Sequence, residues 1–492
     1  MISFRNLASD RGQKRLPVWL LAAFGALWGG TAAFLLIQQQ WIPLLALIAF
    51  VPVAVLFWVY PFIVVHIWLL FFPFFIIDVL PDARKVYWLL HRAMIPLALV
   101  ALSLMAITRL RKDLHYRPGL VDWMMAAYVL FSVVNILLMS AQPVAELIRY
   151  YDRIFVPFCM YWLIRLLAPG WKEIRSLAPT AIVIVVSQGI IGLLSWFKPG
   201  LLPAGWLGRF GERTTGTFGN PGVFTTTILF CVVILALAGL QAPRRAIWQQ
   251  AGTWIVIGAA FFFVFFSFSR GSWLGAVPIA VGLFLLYPKR VATLALIGSF
   301  LIVPLLAISP LRNFSSFAAE RLTTQTTAEG RVIGGAATAR MIAEKPVFGW
   351  GYGNHELYDE QFRDPSVLGL AANKEKSSHN TYLLIAAEMG LSGLFLYYLP
   401  SFWLLYLSIK YAGWLPRLPI DTRLILLMFW LLLLDHFFVG LFTDMIQSNL
   451  FNTVIWWLAL GWIANLVDAG RRTAHQFEEY RSIQGEIHDY AR

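Results

Sequence analysis

The sequence predicts an all-α, polytopic membrane protein with about twelve to fourteen transmembrane helices and one long external loop between residues 310 and 379. Three observations predict it. Hydrophobic residues make up 59% of the 492 residues and charged residues only 13%, with a mean hydropathy of +0.68. A water-soluble domain keeps about 25% charged residues, so there is too little polar surface here to coat a soluble globule. Apolar runs of about 18 residues or more recur from end to end, each long enough to cross a ~30 Å hydrocarbon core as a helix. The short alternating segments of a membrane barrel are missing, and lipid leaves no unpaired backbone, so the runs are expected to be helices.

The runs lie at 17–37, 41–59, 61–79, 91–108, 120–139, 154–168, 180–197, 222–240, 251–268, 272–287, 292–309, 380–408, 424–442 and 450–467. The first follows Arg11, Lys14 and Arg15 and has no small-residue cleavage site behind it, so it is expected to stay as a span. The second and third abut at Tyr60-Pro61, as a hairpin or as one broken element. Cys159 and Cys231 both fall inside apolar runs and read as neither a disulfide nor a metal site.

Orientation follows from Lys and Arg. With the N-terminus inside, the inside segments hold 21 basic residues and the short outside loops nine. Both termini are therefore expected in the cytoplasm. The net charge of +13 marks these cytoplasmic loops rather than a nucleic-acid partner. The chain divides into N-terminal helices (1–204), a second helical region with the external loop (205–467) and a cytoplasmic tail (468–492). Within the loop, 330–345 (GRVIGGAATARMIAEK) has helical character and 348–354 (FGWGYGN) is turn-rich, so an ordered cap over the bundle is expected. The glycines of 348–354 are not a nucleotide loop, because no Lys-Ser/Thr follows them.

Four motifs gather on the predicted external side: GERTTGTFGNPG (211–222), SFSRGSWLG (267–275), ARMIAEKPVFGWGYGN (339–354) and SSHNTYLLIAAEMGLSGLF (377–395). In that order, over about residues 205–465, they resemble the O-antigen ligase and polymerase superfamily. Its pattern is a Ser-Arg-Gly turn, a basic segment ending in Pro-x-x-Gly-x-Gly, then His-Asn, then a glutamate and Gly-Leu-x-Gly. The resemblance implies a C-type glycosyltransferase-like fold in the bacterial inner membrane. It implies an inverting, metal-independent transfer of a glycan from undecaprenyl diphosphate to an acceptor hydroxyl, with no cofactor. The acceptor is a lipid-core sugar for a ligase and another lipid-linked repeat for a polymerase, and the sequence leaves both open. One departure is Gly335, where the family usually carries tryptophan after the position of Arg331; this makes Arg340 the better match of the two.

The residues fit that chemistry. A departing diphosphate develops negative charge, and arginine stays protonated and grips two phosphate oxygens at once. Arg213 and Arg270, both at a predicted membrane boundary, are the leading candidates, followed by Arg340, Arg331 and Arg209; the competing reading for each is headgroup snorkelling. His379 is the candidate base, because an imidazole accepts a proton near neutral pH. Its plainer reading is a helix-start residue between Ser378 and Asn380. Glu388 is an intramembrane carboxylate and so a functional candidate, or a structural partner to an arginine. His66 and His436 are expected to hydrogen-bond neighbouring helices, with Asp435, His436 and Asp444 hinting at a polar seam. His91, His115, His355, His475 and His488 read as surface residues.

Two other classes compete. A metal-dependent oligosaccharyltransferase needs acidic residues in an early external loop. Asp78 and Asp82 keep it open, and loss of activity in a chelator would favour it. A lipid-linked glycan transporter or flippase would export without elongating, but internal repeats with broken helices are not evident.

Overall fold

The computed structural model describes residues 18–75, 83–111, 114, 116, 118–207, 213–240, 247–307, 326–367, 378–411, 420–444 and 450–490. Each of the fourteen predicted runs lies largely on a helix in its described residues, and those residues contain no strand. Eight helices are long and apolar enough to span a bilayer on those grounds alone. The protein is an all-α polytopic membrane protein.

The chain forms two compact units, Met1–Ile63 and Val64–Arg492. The first is a hairpin of α1 (Val18–Ile37) and α2 (Trp41–Val59). Trp28 of α1 donates its indole N–H to the carbonyl of Leu47, 3.2 Å away.

The second unit begins with α3 (Ile63–Phe71). It continues through α4 (Ala83–Tyr87, a π-helical stretch Trp88–Ala93, then Met94–Ile107), α5 (Leu120–Met139) and α6 (Pro143–Tyr150, a π-helical stretch Tyr151–Phe155, then Val156–Leu167). After α7 (Trp171–Phe197) come α8 (Pro221–Leu240), α9 (Ile247–Phe265), α10 (Arg270–Leu286) and α11 (Pro288–Ala307). The cap holds α12 (Thr326–Glu344) and the single turn α13 (His355–Tyr358), as its helical and turn-rich stretches predict. The chain closes with α14 (Thr381–Lys410), α15 (Ile420–Gly440) and α16 (Leu450–Tyr490). The predicted tail is thus a continuation of the last span.

A helix apolar on every face belongs inside a bundle. In α8 and α16, 89% and 83% of the most apolar stretch is buried, against 28% in α4 and α9, so α8 and α16 form the centre. Arg165 of α6 fastens this centre, donating to Asn465 at 2.8 Å and Asp468 at 2.7 Å on α16.

The two π-helical stretches meet. Arg92 grips both carboxylate oxygens of Asp152, at 2.6 and 2.5 Å, and the His91 ring bonds the Asp152 carbonyl at 2.8 Å. His91 is fully buried, not the surface residue expected from the sequence. His66 bonds Thr180 and Ser176 of α7, in the interhelical role expected of it.

The cap meets the bundle at a break in α14. Gly390 has φ +72°, and a Cβ there would sit 2.0 Å from the Val347 carbonyl oxygen. The carbonyls freed at the break still need donors in an apolar setting. The Trp350 amide donates to Ala387 and the Gly351 amide to Glu388, each at 2.8 Å, while the Leu391 amide donates to Pro346 at 2.7 Å. The Pro-x-x-Gly-x-Gly segment is therefore the backbone partner of the broken helix. Gly390→Ala is expected to cost more than the ~1–2 kcal/mol of left-handed strain, because backbone would have to move. A lower unfolding temperature of the purified protein and faster amide exchange at Trp350 and Gly351 are the expected readings. Unchanged values of both would refute this account.

Candidate functional site

Four of the basic side chains singled out in the sequence, 166 positions apart at their extremes (213 to 379), line one cleft. Its volume is about 100 Å³, and its wall includes Arg213, Arg270, Arg331 and His379, with Asn220 and Ser269 between them. No acidic side chain among the described residues lines it.

Each side chain is held by a local device. Asn220 caps α8, its Oδ1 accepting from the amides of Gly222 (2.8 Å) and Val223 (3.4 Å), and Pro221 follows at the first helical position, where its missing N–H costs nothing. The loop before it is anchored by Thr217, which donates its amide to Gln188 at 2.9 Å and its hydroxyl to the Pro73 carbonyl at 2.6 Å. Arg213 precedes Thr214, whose amide donates to the Phe266 carbonyl at 3.3 Å.

Arg270 is the first residue of α10. The turn before it is clamped by Trp273, whose indole N–H faces the carbonyls of Val264 (3.1 Å) and Phe265 (3.0 Å) and whose ring stacks on Phe265. Arg270 is exposed at the helix N-terminus, whose partial positive charge adds to its own.

His379 lies just before α14. Asn380 caps that helix, accepting from the amides of Tyr382 and Leu383 at 3.0 Å each. It also donates to Leu441 at the end of α15 (3.3 Å), while Thr381 donates to Thr443 (2.9 Å). The cap thus fixes the helix start against α15. His379 itself has φ +46°, and Phe268 beside Ser269 has φ +48°. A side chain held at positive φ carries strain that neighbouring structure must offset, and such residues cluster at functional sites.

Two candidates lie elsewhere. Arg340 is exposed and donates to the Phe362 carbonyl at 2.8 Å; it does not line the cleft. This corrects the preference for Arg340 over Arg331. Nine residues at about 100° each put the two on opposite faces of α12, so one helix cannot turn both to the same cleft. Glu388 is buried beside the α14 break, where it accepts from the His355 amide at 3.4 Å and lines a separate small cavity with Tyr128 and Tyr352. It braces the cap rather than the cleft. Arg209 lies outside the described residues.

His355, expected at the surface, is buried and bonds Thr338 of α12 at 2.9 Å; burial lowers its pKa. Asn135 was not anticipated either. It ties α5 to the cap by accepting from the Tyr352 amide (3.1 Å) and donating to the Phe348 carbonyl (2.8 Å). An amide inside an apolar run was the one available signal for it.

Residues 255–398 match the family model described as O-antigen ligase. The match runs from α9 into α14 and takes in Arg270, Arg331, His379 and the broken helix, but not Arg213. No curated protein matches the chain.

Proposed function

We propose, from the match of residues 255–398 to the O-antigen ligase family model, that the protein transfers a glycan from undecaprenyl diphosphate to an acceptor hydroxyl at the external face of the bacterial inner membrane. The match supports a membrane glycosyltransferase of the O-antigen ligase and polymerase superfamily. The observation that carries the reading is the convergence of Arg213, Arg270, Arg331 and His379 on one cleft. Each guanidinium can grip two oxygens of a diphosphate at once.

In the proposed step, the acceptor oxygen attacks the anomeric carbon as its proton passes to His379. The bond from that carbon to the diphosphate oxygen breaks with inversion. The three arginines hold the leaving diphosphate as its charge grows, which lowers the barrier without a metal. The acceptor is a lipid-core sugar or a second lipid-linked repeat. The glycan profile of a deletion strain separates them: single capped repeats indicate a lost polymerase, and long chains stranded on carrier lipid a lost ligase.

The reading requires the cleft to face outward. Glu360 in the cap and Lys172 at the start of α7 are both exposed, and both native cysteines are buried. In intact cells, a cysteine at 360 is expected to react with an impermeant thiol reagent, and one at 172 only after lysis. The reverse pattern would invert the topology and remove the external site.

A further inference from the structure

Beneath the cleft, α15 carries two adjacent ionisable residues in the heart of the bundle. Asp435 is 0% exposed and His436 4%. Val439, one turn further along α15, lines the cleft. The Asp435 carboxylate packs directly on α10, 2.1 Å from where a Cβ on Gly275 would sit. Neither of its oxygens makes a hydrogen bond among the described residues.

The His436 ring has an unusual pair of neighbours. Nδ1 lies 3.0 Å from the Leu432 carbonyl oxygen and Nε2 3.2 Å from that of Asn452 on α16. A carbonyl oxygen only accepts. A neutral imidazole has one N–H and one bare nitrogen, so it would satisfy one carbonyl and turn a lone pair on the other. An imidazolium satisfies both. The Asp435 carboxylate, 3.9 Å from Nδ1, supplies the counter-charge, and the Trp456 ring, with its centroid 5.7 Å away, is within cation–π range. An isolated charge would be very costly at this depth, whereas the pair is neutral overall.

We infer that Asp435 and His436 form a proton-binding site inside the membrane, in which the imidazole holds a proton on each nitrogen and the neighbouring carboxylate balances it. A cavity of about 20 Å³ lies between His436, Thr453 and Thr381 at the start of α14, enough for one water-sized molecule. The groups facing the pair are the Thr226 hydroxyl of α8, Gly275 of α10, Asn452, Thr453 and Trp456 of α16, and Thr381 and the phenols Tyr397 and Tyr398 of α14. Asp444, four residues past the end of α15, and Arg270 of α10 are the nearest charged residues along the chain toward the cleft. The pair fixes a proton between α10, α15 and α16, independently of what the cleft transfers.

The test uses the whole protein in lipid nanodiscs with ¹⁵N-labelled histidine. At about two pH units above the ordinary histidine value, one of the eight histidines is expected to keep both ring nitrogens protonated. That signal should become neutral in Asp435→Asn, which removes the counter-charge. The infrared spectrum should show no protonated-carboxyl band that disappears in Asp435→Asn. Eight neutral histidines, an imidazolium that survives Asp435→Asn, or such a carboxyl band would each overturn the assignment. The wild-type histidine reading does not depend on a variant folding.

Discussion

His379→Asn is expected to lower glycan transfer by roughly 10²–10⁴-fold, the usual contribution of a positioned base, in protein that still inserts and folds. Asparagine is the right replacement because His379 sits at φ +46°. Asparagine tolerates that left-handed conformation, while alanine would add strain to the chemical loss. The Asn380 cap and the Thr381–Thr443 bond do not depend on the ring, so α14 should keep its start.

The rival role for His379 is a protonated ring that only binds phosphate. The two differ in sign with pH. A base must be neutral, so activity rises with pH; a cation must be charged, so activity falls with pH. An assay with purified lipid-linked donor from about pH 5 to 9 reads the difference. A falling limb in that range, absent in His379→Asn, would replace the base with the cation. Transfer by His379→Asn at the wild-type rate would remove both roles.

The second large effect belongs to the arginines. Arg270→Ala and Arg213→Ala are each expected to reduce transfer by about 10²–10³-fold, the scale seen when one preorganised group at a developing charge is lost. Arg270→Lys keeps the charge but loses the planar two-oxygen fork, so it should remain impaired, though less so. Arg331→Ala should show a loss in the same direction. Arg340→Ala is the internal control: its guanidinium is engaged with the Phe362 carbonyl away from the cleft, and transfer should stay near the wild-type rate. Chain lengths in cells, at matched protein levels, and rates in vitro provide the measurement. Normal transfer by both Arg270→Ala and Arg213→Ala would remove the diphosphate site. An Arg340→Ala loss matching that of Arg331→Ala would contradict the division of faces on α12.

The sequence by itself determined the elements. A run such as 120–139 is a helix because lipid permits little else, and its ends follow from where the apolar residues stop; the structure has α5 at Leu120–Met139. The helix start at Ser378-His379-Asn380 was also legible, since a cap acts within three or four residues of itself. Arg213 and Arg270 could be nominated because each stands at a predicted membrane boundary, and His379 because it stands at that helix start.

Only the tertiary structure decided which nominees meet. The choice of Arg331 over Arg340 rests on how α12 is rotated against α14 and the cleft, which hydropathy does not encode in so evenly mixed a helix. Burial of His91 and His355 depends on partners 61 and 17 residues away, Asp152 and Thr338, and no local pattern announces them. The break at Gly390 is the sharpest case. Met389-Gly390-Leu391 reads as helix in an apolar run, and it unwinds because a loop some forty residues earlier offers Trp350 and Gly351 amides to its carbonyls. Span length and caps are short-range consequences of lipid and backbone. Helix rotation, buried polar pairing and a broken helix are set by groups far apart in the chain that must satisfy one another where water cannot.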